Sequence, residues 1–385
     1  MKLARLGEVA EIVRDGIAPK KIVAGTPYLG LEHIESGGRI ISSEPVANGE
    51  LASTKFQFGP EHLLYGKLRP YLAKIALPDF AGICSTDILP VKAGPELDKR
   101  YLAYFLRQPR MVDFANSRSS GANLPRLSPK ALADFQIPLP PLPEQRRIAG
   151  ILDQADALRR LRRQSLSRLS DLGQAIFYEM FGDPISNPMG WDQVKLGDLC
   201  EVGSSKRVFA SEFLEDGIPF YRGTEVGKLG SGETIQPTLF IAQAHYESLV
   251  QHSGKPTVGD ILLPSICHDG RIWTVDSEEP FYFKDGRVLW IKCSDSPING
   301  DYLRSQLRNV LLHNYHAIAS GTNFAELKIV NLKNLKLLTP PLDLQRRFAQ
   351  SIKVVRETKH GYETAVADAV SLFSALQHRA FRGEL

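Results

Sequence analysis

A motif of ten residues occurs twice in this chain, and the two copies are 200 positions apart. PPLPEQRRIA starts at residue 140, and PPLDLQRRFA starts at residue 340. Three further pairs share this offset: Gly121–Asn123 with Gly321–Asn323, Val91–Lys92 with Ile291–Lys292, and Phe181 with Phe381. Several matches in one register indicate a tandem duplication.

The offset drifts towards the N-terminus. Arg5–Glu8 matches Lys195–Asp198 at an offset of 190, whereas Tyr101–Leu102 matches Tyr302–Leu303 at an offset of 201. Such drift indicates insertions in the loops of a shared fold. We therefore predict four segments: a first domain over 1–142, a helix over 143–183, a second domain over 184–342 and a second helix over 343–385.

Each predicted domain mixes short strand-like runs with turn residues and one helical stretch, which indicates an α+β class. The predicted strands are 22–31, 83–91, 218–221 and 288–291, and the predicted helices are 97–107 and 301–314.

The segment after each PPL motif has apolar residues at spacings of three and four, which predicts a long amphipathic helix. Pro143 and Asp343 favour helix starts, and Gly182 and Gly383 favour helix ends. Roughly 38 residues at 1.5 Å each give about 57 Å. Neither helix can bury its stripe alone, so we expect the two to pair as a coiled coil. The stripes are Ile148, Ile151, Ala155, Leu158, Leu166, Leu169, Leu172, Ile176 and Met180 in the first helix, and Phe348, Ile352, Val355, Tyr362, Val366, Ala369, Phe373, Leu376 and Ala380 in the second.

Bulk composition sets limits on the class of protein. The chain has 385 residues, 43% hydrophobic and 23% charged, as in soluble multi-domain proteins. Its N-terminus lacks the features of a signal peptide, and no apolar run is long enough for a membrane span, so we expect a cytoplasmic protein. The four cysteines form no CxxC pair, and we expect reduced thiols. The net charge of +4 is compatible with a polyanionic partner but does not identify one.

A search for catalytic and metal motifs finds none that fits. Ser186–Met189 lacks the second proline and the aromatic of an adenine methylation motif, and Gly223–Lys228 is one residue short of a Walker loop. We interpret both as ordinary turns. His313 and His316 have helical ligand spacing but no third ligand nearby, so we expect no metal site.

Several strings resemble the specificity subunit of type I restriction-modification systems. They include SSGANLPRLSPKALADFQIPLPPLPEQRRIAGILDQAD from residue 119, LFSALQHRAFRGEL at the C-terminus, HLLYGKLRPYLAKI and GDILLPS. The resemblance covers essentially the whole chain. It implies two tandem target-recognition domains, each reading half of a bipartite DNA sequence, separated by two long helices that form an antiparallel coiled coil around a pseudo-twofold internal repeat.

The resemblance also implies that the chain is not an enzyme. Double-stranded DNA, two modification subunits and motor-nuclease restriction subunits would be its partners. S-adenosylmethionine would bind to the modification subunits, and this chain would bind no cofactor.

Loops rich in Lys, Arg, Asn, Ser and His are the candidates for DNA contacts, because phosphates need cations and base edges need hydrogen-bonding groups. In the first domain the candidates are Lys67, Arg69, Lys74, Arg118, Ser119, Asn123 and Arg126. In the second they are Lys206, Arg207, Arg222, His268, Arg271, Asn323 and Lys328. Ser265–His268 replaces Lys67–Pro70, so contacts do not transfer simply between copies.

Two further polar groups have open roles. Gln145, Arg146 and Arg147 recur as Gln345, Arg346 and Arg347, which indicates either domain–helix packing or the binding of a partner subunit. Arg159, Arg160, Arg162 and Arg163 could solvate the helix, face phosphate or bind a partner, and we favour solvation.

Two alternatives remain open. The chain could be the specificity chain of a fused methylase-nuclease system, or a coiled-coil adaptor that does not bind DNA. Only the adaptor would lack salt-dependent affinity for DNA.

Overall fold

The computed structural model describes residues 2–47, 49–293, 296–320 and 325–385. Internal contacts divide the chain into two units. One unit comprises Met1–Gln164 and Thr364–Leu385, and the other comprises Ser165–Glu363. Each unit contains one mixed domain and a segment of each long helix, which confirms the α+β class and the repeat.

The first unit contains eleven short strands and four short helices among its described residues, together with the start of α5 and the end of α11. They are β1 (Leu3–Arg5), α1 (Leu6–Val9), β2 (Ala10–Ile12), β3 (Gly16–Ile17), β4 (Pro27–Leu29), β5 (Glu44–Pro45), β6 (Lys55–Phe58), β7 (His62–Gly66), β8 (Ile75–Ala76), β9 (Gly82–Cys84), β10 (Ile88–Ala93), α2 (Lys99–Leu106), α3 (Pro109–Ser117), α4 (Pro129–Ala133), β11 (Gln136–Pro138), α5 (Leu142–Phe181) and α11 (Leu342–Ala380).

The second unit has the later part of α5, the first part of α11 and fourteen other strands and α-helices in its described residues. These are β12 (Gln193–Lys195), α6 (Leu196–Leu199), β13 (Glu201–Gly203), β14 (Ile218–Tyr221), α7 (Gly223–Gly230), β15 (Phe240–Ile241), α8 (Gln243–Ser253), β16 (Ile261–Pro264), β17 (Trp273–Thr274), β18 (Tyr282–Phe283), β19 (Val288–Lys292), α9 (Gly300–Ile318), α10 (Ile329–Lys333) and β20 (Lys336–Leu338).

The sheets of the two units show the duplication directly. The four-stranded sheet has the order β2-β10-β7-β8 in the first unit and β13-β19-β16-β17 in the second. A two-stranded sheet, β1-β11 or β12-β20, joins the start of each domain to the strand before its long helix. The third sheet differs, with the order β3-β6-β9-β4-β5 in the first unit and β15-β14-β18 in the second. The change of the sequence offset from 190 to 200 therefore falls in the stretch of chain that includes this variable sheet.

A buried tyrosine anchors the same position in each core. Tyr101 on α2 and Tyr302 on α9 are fully buried, and each hydroxyl donates to a strand carbonyl, Pro138 O at 2.9 Å and Leu338 O at 3.1 Å. These bonds satisfy the buried phenol, which would otherwise be costly.

The long helices pair antiparallel within the first unit. Arg147 donates to Leu385 O at 2.8 Å, the Arg159 guanidinium lies 4.4 Å from the centre of the Phe373 ring, and Arg162 donates to Ala365 O at 2.6 Å. Partner numbers fall as the α5 numbers rise, so the segments run in opposite directions.

Pairing within the second unit has the same sense. Phe177 and Phe181 of α5 pack against Phe348 of α11 at ring-centre distances of 5.6 and 5.4 Å. Further along, Gly173 lies against Ile352. The predicted antiparallel coiled coil is therefore confirmed.

Several details of the predicted stripes were wrong. Leu158, Leu172 and Tyr362 are exposed by 39, 42 and 38%, whereas Leu152 and Phe177, absent from the predicted stripe, are fully buried. The domains pack against the ends of the long helices, and helix residues outside the predicted stripes are buried in the domain cores. One straight apolar stripe along each helix therefore does not describe which residues are buried.

Some local predictions also need correction. Only Pro27–Leu29 of the predicted strand 22–31 forms a strand, and 3-10 turns lie on either side of it. The segment 83–91 forms two strands, and Gly223–Lys228, interpreted as a turn, lies in helix α7. Gly182 ends α5 in the left-handed region, but α11 ends at Ala380, three residues before Gly383. Strand 218–221 is confirmed, and the other helices are right to within a few residues.

No helix in the described parts of the chain has the length and apolar character required to cross a membrane.

Candidate nucleic-acid interface

The loop that follows β7 has an unusual backbone. Arg69 and Ala73 both adopt left-handed conformations, with φ of 51° and 49°, on either side of the 3-10 turn Pro70–Leu72. Such conformations cost energy for residues with a side chain and persist only where surrounding contacts impose them. Here Arg107 supplies one such contact, since its guanidinium donates to Ile75 O through Nε at 3.0 Å and Nη2 at 2.6 Å. Burial lowers the pKa of Arg107 to about 10, so it stays charged at neutral pH.

A second loop, between α3 and α4, joins this one. Arg69 N donates to Pro125 O at 2.7 Å, and Leu127 N donates to Lys67 O at 2.9 Å. The two predicted clusters of the first domain therefore form one surface, defined by residues 67–74 and 118–127.

Three of the predicted side chains on this surface have no protein partner within the described parts of the chain. They are Lys67, Arg69 and Asn123, of which Arg69 and Asn123 are exposed. The exposed ring of Tyr71 lies beside Arg69 in the sequence and was missed by the analysis of charged residues. The sequence feature that marks Tyr71 is an aromatic residue directly after a proline in a loop that contains lysine and arginine.

Other predicted residues of this surface have internal partners. Lys74 Nζ donates to Leu31 O at 2.7 Å, which ties the loop to the 3-10 turn Leu31–His33. Ser119 Oγ donates to Asn116 O at 2.6 Å, and the Arg118 guanidinium lies 5.1 Å from the centre of the Phe114 ring. Arg126 pairs with Asp87 at 2.9 Å. Lys74 and Arg126 thus support the loops in this structure.

The second domain repeats the joined loops with different side chains. Leu327 N donates to Ser265 O at 2.7 Å, as Leu127 does to Lys67. Tyr315 Oη donates to Ala325 O at 2.6 Å and lies 3.2 Å from Ser265 O, so it contacts both loops from α9. His268 is exposed at the loop and lies edge-on to Tyr315.

The cationic candidates of the second domain divide in the same way. Lys206 and Lys328 are exposed and have no side-chain partner in the part of the chain that is described. Arg207 pairs with Asp285 at 3.1 Å, Arg222 with Glu225 at 2.7 Å and Arg271 with Asp269 at 2.5 Å. Asn323 lies outside the described residues.

The repeated glutamine of the PPL motif fixes each domain to its long helix. Gln145 is fully buried, accepts from Asp98 N at 2.9 Å and donates to Pro140 O at 2.8 Å. Gln345 does the same with Asn299 N at 2.9 Å and Pro340 O at 2.7 Å. Asp98 and Asn299 are the N-cap residues of α2 and α9.

The arginines next to these glutamines are all exposed, and two of the four have partners nearby. Arg146 and Arg347 are exposed and have no side-chain partner in the described residues, whereas Arg346 pairs loosely with Asp343 at 3.6 Å. Arg147 pairs with Glu144 at 2.7 Å and lowers the pKa of that carboxyl.

The interpretation of the helix arginines as solvating groups was mostly wrong. Arg159 and Arg160 both pair with the buried carboxylate of Asp156, and Arg162 donates to Ala365 O. A buried carboxylate requires such partners, so these arginines act within the first unit.

No group of three or more His, Cys, Asp or Glu side chains with metal-binding geometry exists among the described residues. Nδ1 of His313 lies 2.9 Å from the carbonyl oxygen of Asn309.

Each unit therefore combines a mixed domain, joined loops and antiparallel segments of the two long helices. A family model described as the type I restriction modification DNA specificity domain matches residues 1–170 and again residues 188–364. The chain belongs to this family.

Two curated relatives illustrate the similarity. The chain is 30% identical to the specificity subunit of the type I restriction enzyme EcoDI of Escherichia coli over 182 residues, which is 46% of this chain and 40% of that protein. It is 27% identical to a putative type I restriction enzyme specificity subunit of Haemophilus influenzae over 357 residues, which is 89% of this chain and 84% of that protein. The first match spans less than half of the relative, and the second spans most of it.

Solved structures share the fold. The S subunit of the type I restriction-modification system of M. genitalium matches with a TM-score of 0.62 at 15% identity, over 99% of this chain and 96% of that chain. A chain from a structure described for complex assembly and conformational transition of the type I R-M system matches with a TM-score of 0.61 at 22% identity, over 100% and 98%.

Proposed function

We propose that this chain selects the DNA target of a type I restriction-modification complex, with each recognition domain reading one half of a bipartite sequence. The observation that carries the proposal is that two loops are joined by a backbone hydrogen bond in each domain, from Leu127 N to Lys67 O in the first and from Leu327 N to Ser265 O in the second. The family match to both halves supports it.

The free side chains of the joined loops suit DNA in two ways. Arg69 can form a bidentate contact with guanine, and Asn123 can do so with adenine, whereas Lys67, Lys206 and Lys328 can neutralise phosphates. The different side chains of the second domain would give it a different half-site. Arg126, Arg207, Arg222 and Arg271 are already paired, so we assign them mainly to holding the loops in place.

We further propose that the chain has no catalytic activity and binds no cofactor. Two modification subunits carrying S-adenosylmethionine would methylate the DNA, and restriction subunits would join them, as a complex that acts in the cytoplasm. Each half has two adjacent exposed arginines after its buried glutamine, Arg146 and Arg147 in the first half and Arg346 and Arg347 in the second. We propose that each of these two pairs contacts one partner subunit.

The first experiment measures DNA affinity of the full chain as a function of salt. We expect log K to fall linearly with log salt, and replacement of one phosphate-binding lysine to reduce that slope by about 1. Lys206→Ala is the test variant. Lys92→Ala, which removes an exposed lysine on β10, is the control. Salt-independent or absent binding would favour the adaptor alternative.

The second experiment assigns the chemistry. The purified chain with S-adenosylmethionine should transfer no methyl group to DNA, and addition of the modification subunit should produce methylation at one bipartite site. Methyl transfer by the chain alone would overturn the non-catalytic assignment. A requirement for a single fused methylase-nuclease partner would favour that alternative system.

A further inference from the structure

Two cysteines lie opposite each other where strands β13 and β19 begin to diverge. Glu201 pairs with Lys292 at the end of this antiparallel ladder, so the next opposed pair is Cys200 and Cys293. Cys200 keeps an extended backbone, with φ of −141° and ψ of 147°.

The backbone bonds around the pair define its type. Cys200 N donates to Leu196 O at 2.9 Å, and Cys293 N donates to the Asp260 carboxylate at 2.8 Å. Neither N–H is used between the two cysteines, as in a non-hydrogen-bonded position of an antiparallel ladder. Cα atoms in such a position are about 4.5 Å apart, within the roughly 4.4–6.8 Å that a disulfide spans.

The two side chains also interact. A hydrogen bond from the Cys293 thiol lowers the pKa of Cys200, and Ser296 Oγ lies 3.2 Å from the Cys200 sulfur. Cys293 is only half-buried, so a small oxidant can reach the pair. Burial raises the pKa of Cys84 and of Cys267 to about 12, and the hydrogen bond with Cys200 together with burial raises the pKa of Cys293, so Cys200 is the cysteine whose pKa is lowered.

The first domain shows that the fold does not require cysteine here. Its corresponding ladder, between β2 and β10, pairs Ala10 with Ala93. Two alanines therefore occupy the position that two cysteines occupy in the second copy. The pair of opposed thiols at this ladder position is thus specific to the second domain.

We propose that Cys200 and Cys293 are a dithiol modification site that small-molecule disulfides oxidise to an intramolecular disulfide. A thiolate of the pair attacks the small disulfide, which forms a mixed disulfide and releases one thiolate. The other cysteine then attacks the protein sulfur of that mixed disulfide and releases the second. Two protein thiols and one small disulfide yield one protein disulfide and two small thiols. The new bond ties strand β13 to β19 within the second recognition domain.

The test uses the full chain incubated with oxidised glutathione, followed by alkylation under denaturing conditions and intact-mass and peptide analysis. We expect two of the four thiols to escape alkylation and one peptide cross-link to join Cys200 and Cys293. The intact mass should be lower by two hydrogens than that of a chain with the same two alkyl groups and two free thiols. Four alkylated thiols, a cross-link to another cysteine or a stable glutathione adduct on the native chain would overturn the proposal.

Two variants make the result specific. Cys200→Ala leaves the half-buried Cys293 without a resolving thiol, so a mixed glutathione adduct should persist on it. The double variant Ala10→Cys, Ala93→Cys places the same pair at the matched position of the first domain, and we expect a second cross-link there. Formation of the native cross-link in Cys200→Ala is impossible, so any loss of two thiols in that variant would show that another pair is reactive.

Discussion

The Arg126 guanidinium donates to both carboxylate oxygens of Asp87, at 2.9 and 3.3 Å, and holds the loop after α3 against the turn before β10. The positions related by the 200-residue offset carry Glu326 and Arg287, which form the same ion pair with the charges exchanged. Exchanging the two charges preserves the ion pair. At the loop position, however, it places a carboxylate, which repels phosphate, where the first domain has a guanidinium, which attracts it. The pair therefore positions the loop in both domains.

The single change Arg126→Glu should weaken binding to the first half-site, because two carboxylates would then face each other. Adding Asp87→Arg should recover much of that loss, since it recreates the arrangement of the second domain. Competition binding on DNA with either half-site scrambled measures both effects. If the double variant binds as poorly as Arg126→Glu, then Arg126 contacts DNA directly, as the sequence first indicated.

Replacement of Arg69 tests direct base reading. Arg69→Ala should cost about 1–3 kcal/mol of discrimination at one base pair of the first half-site and leave the second half-site unchanged. The left-handed backbone is equally strained with either side chain, so the fold should persist. The thermal unfolding midpoint provides that check, and Lys92→Ala serves as a control on the same domain. Equal weakening on both scrambled DNAs would make Arg69 a phosphate or folding residue.

The long helices and the repeat could be predicted because their signals are regular. Three-and-four spacing persists over each helix, and the PPL motif fixes its start to within one residue of Leu142 and Leu342. Short strands such as Pro27–Leu29 have two or three residues, too few for an alternating pattern to show, so tertiary pairing decides them. Gly223–Lys228 was interpreted as a turn because it does not fit a Walker loop, yet it lies in helix α7, which packs against β16.

The candidate site was predictable in composition but not in arrangement. The sequence marked residues 67–74 and 118–126 as separate clusters, and only the contacts of Arg69 and Leu127 join them. The acidic partners of the candidate arginines could not be identified from the sequence. Asp87 is 39 residues from Arg126, and Glu225 and Asp269 are ordinary acidic residues close to Arg222 and Arg271. Paired arginines therefore could not be distinguished from free ones. For Asp87 the repeat did hold a signal, since charges at two related positions change sign together.

Removal of the buried glutamine should destabilise the domain–helix junction. Gln145→Ala leaves Asp98 N–H and Pro140 O without partners, which should cost about 1–3 kcal/mol. For a unit of this size, each kcal/mol should lower the unfolding midpoint by about 2–4 °C. Differential scanning calorimetry measures it, with Arg146→Ala as the exposed neighbouring control. An unchanged midpoint for Gln145→Ala would show that water replaces the lost bonds.

The last prediction concerns a fragment of residues 1–185, which keeps the first domain and α5 but lacks the α11 segment that packs on them. In the full chain, Phe381 packs against Tyr101 at 5.0 Å, and the related residue Phe181 packs against Tyr302 at 4.6 Å. Since the contacts are equivalent, Phe181 of a second fragment can occupy the place of Phe381. Each fragment would then cover the exposed stripe of the other in an isologous, antiparallel dimer.

Such a dimer carries two identical reading domains related by a twofold axis, so it must recognise inverted repeats of one half-site. With the modification subunit supplied, we expect methylation at an interrupted palindrome. Sedimentation measures the dimer at micromolar concentration, and sequencing of methylated DNA gives the target. Phe181→Ala in the fragment should weaken the dimer, because its ring supplies the contact with Tyr101, whereas Arg163→Ala, which changes an exposed arginine of α5, should not. A monomeric fragment, or a target without inverted symmetry, would contradict the equivalence of the two halves.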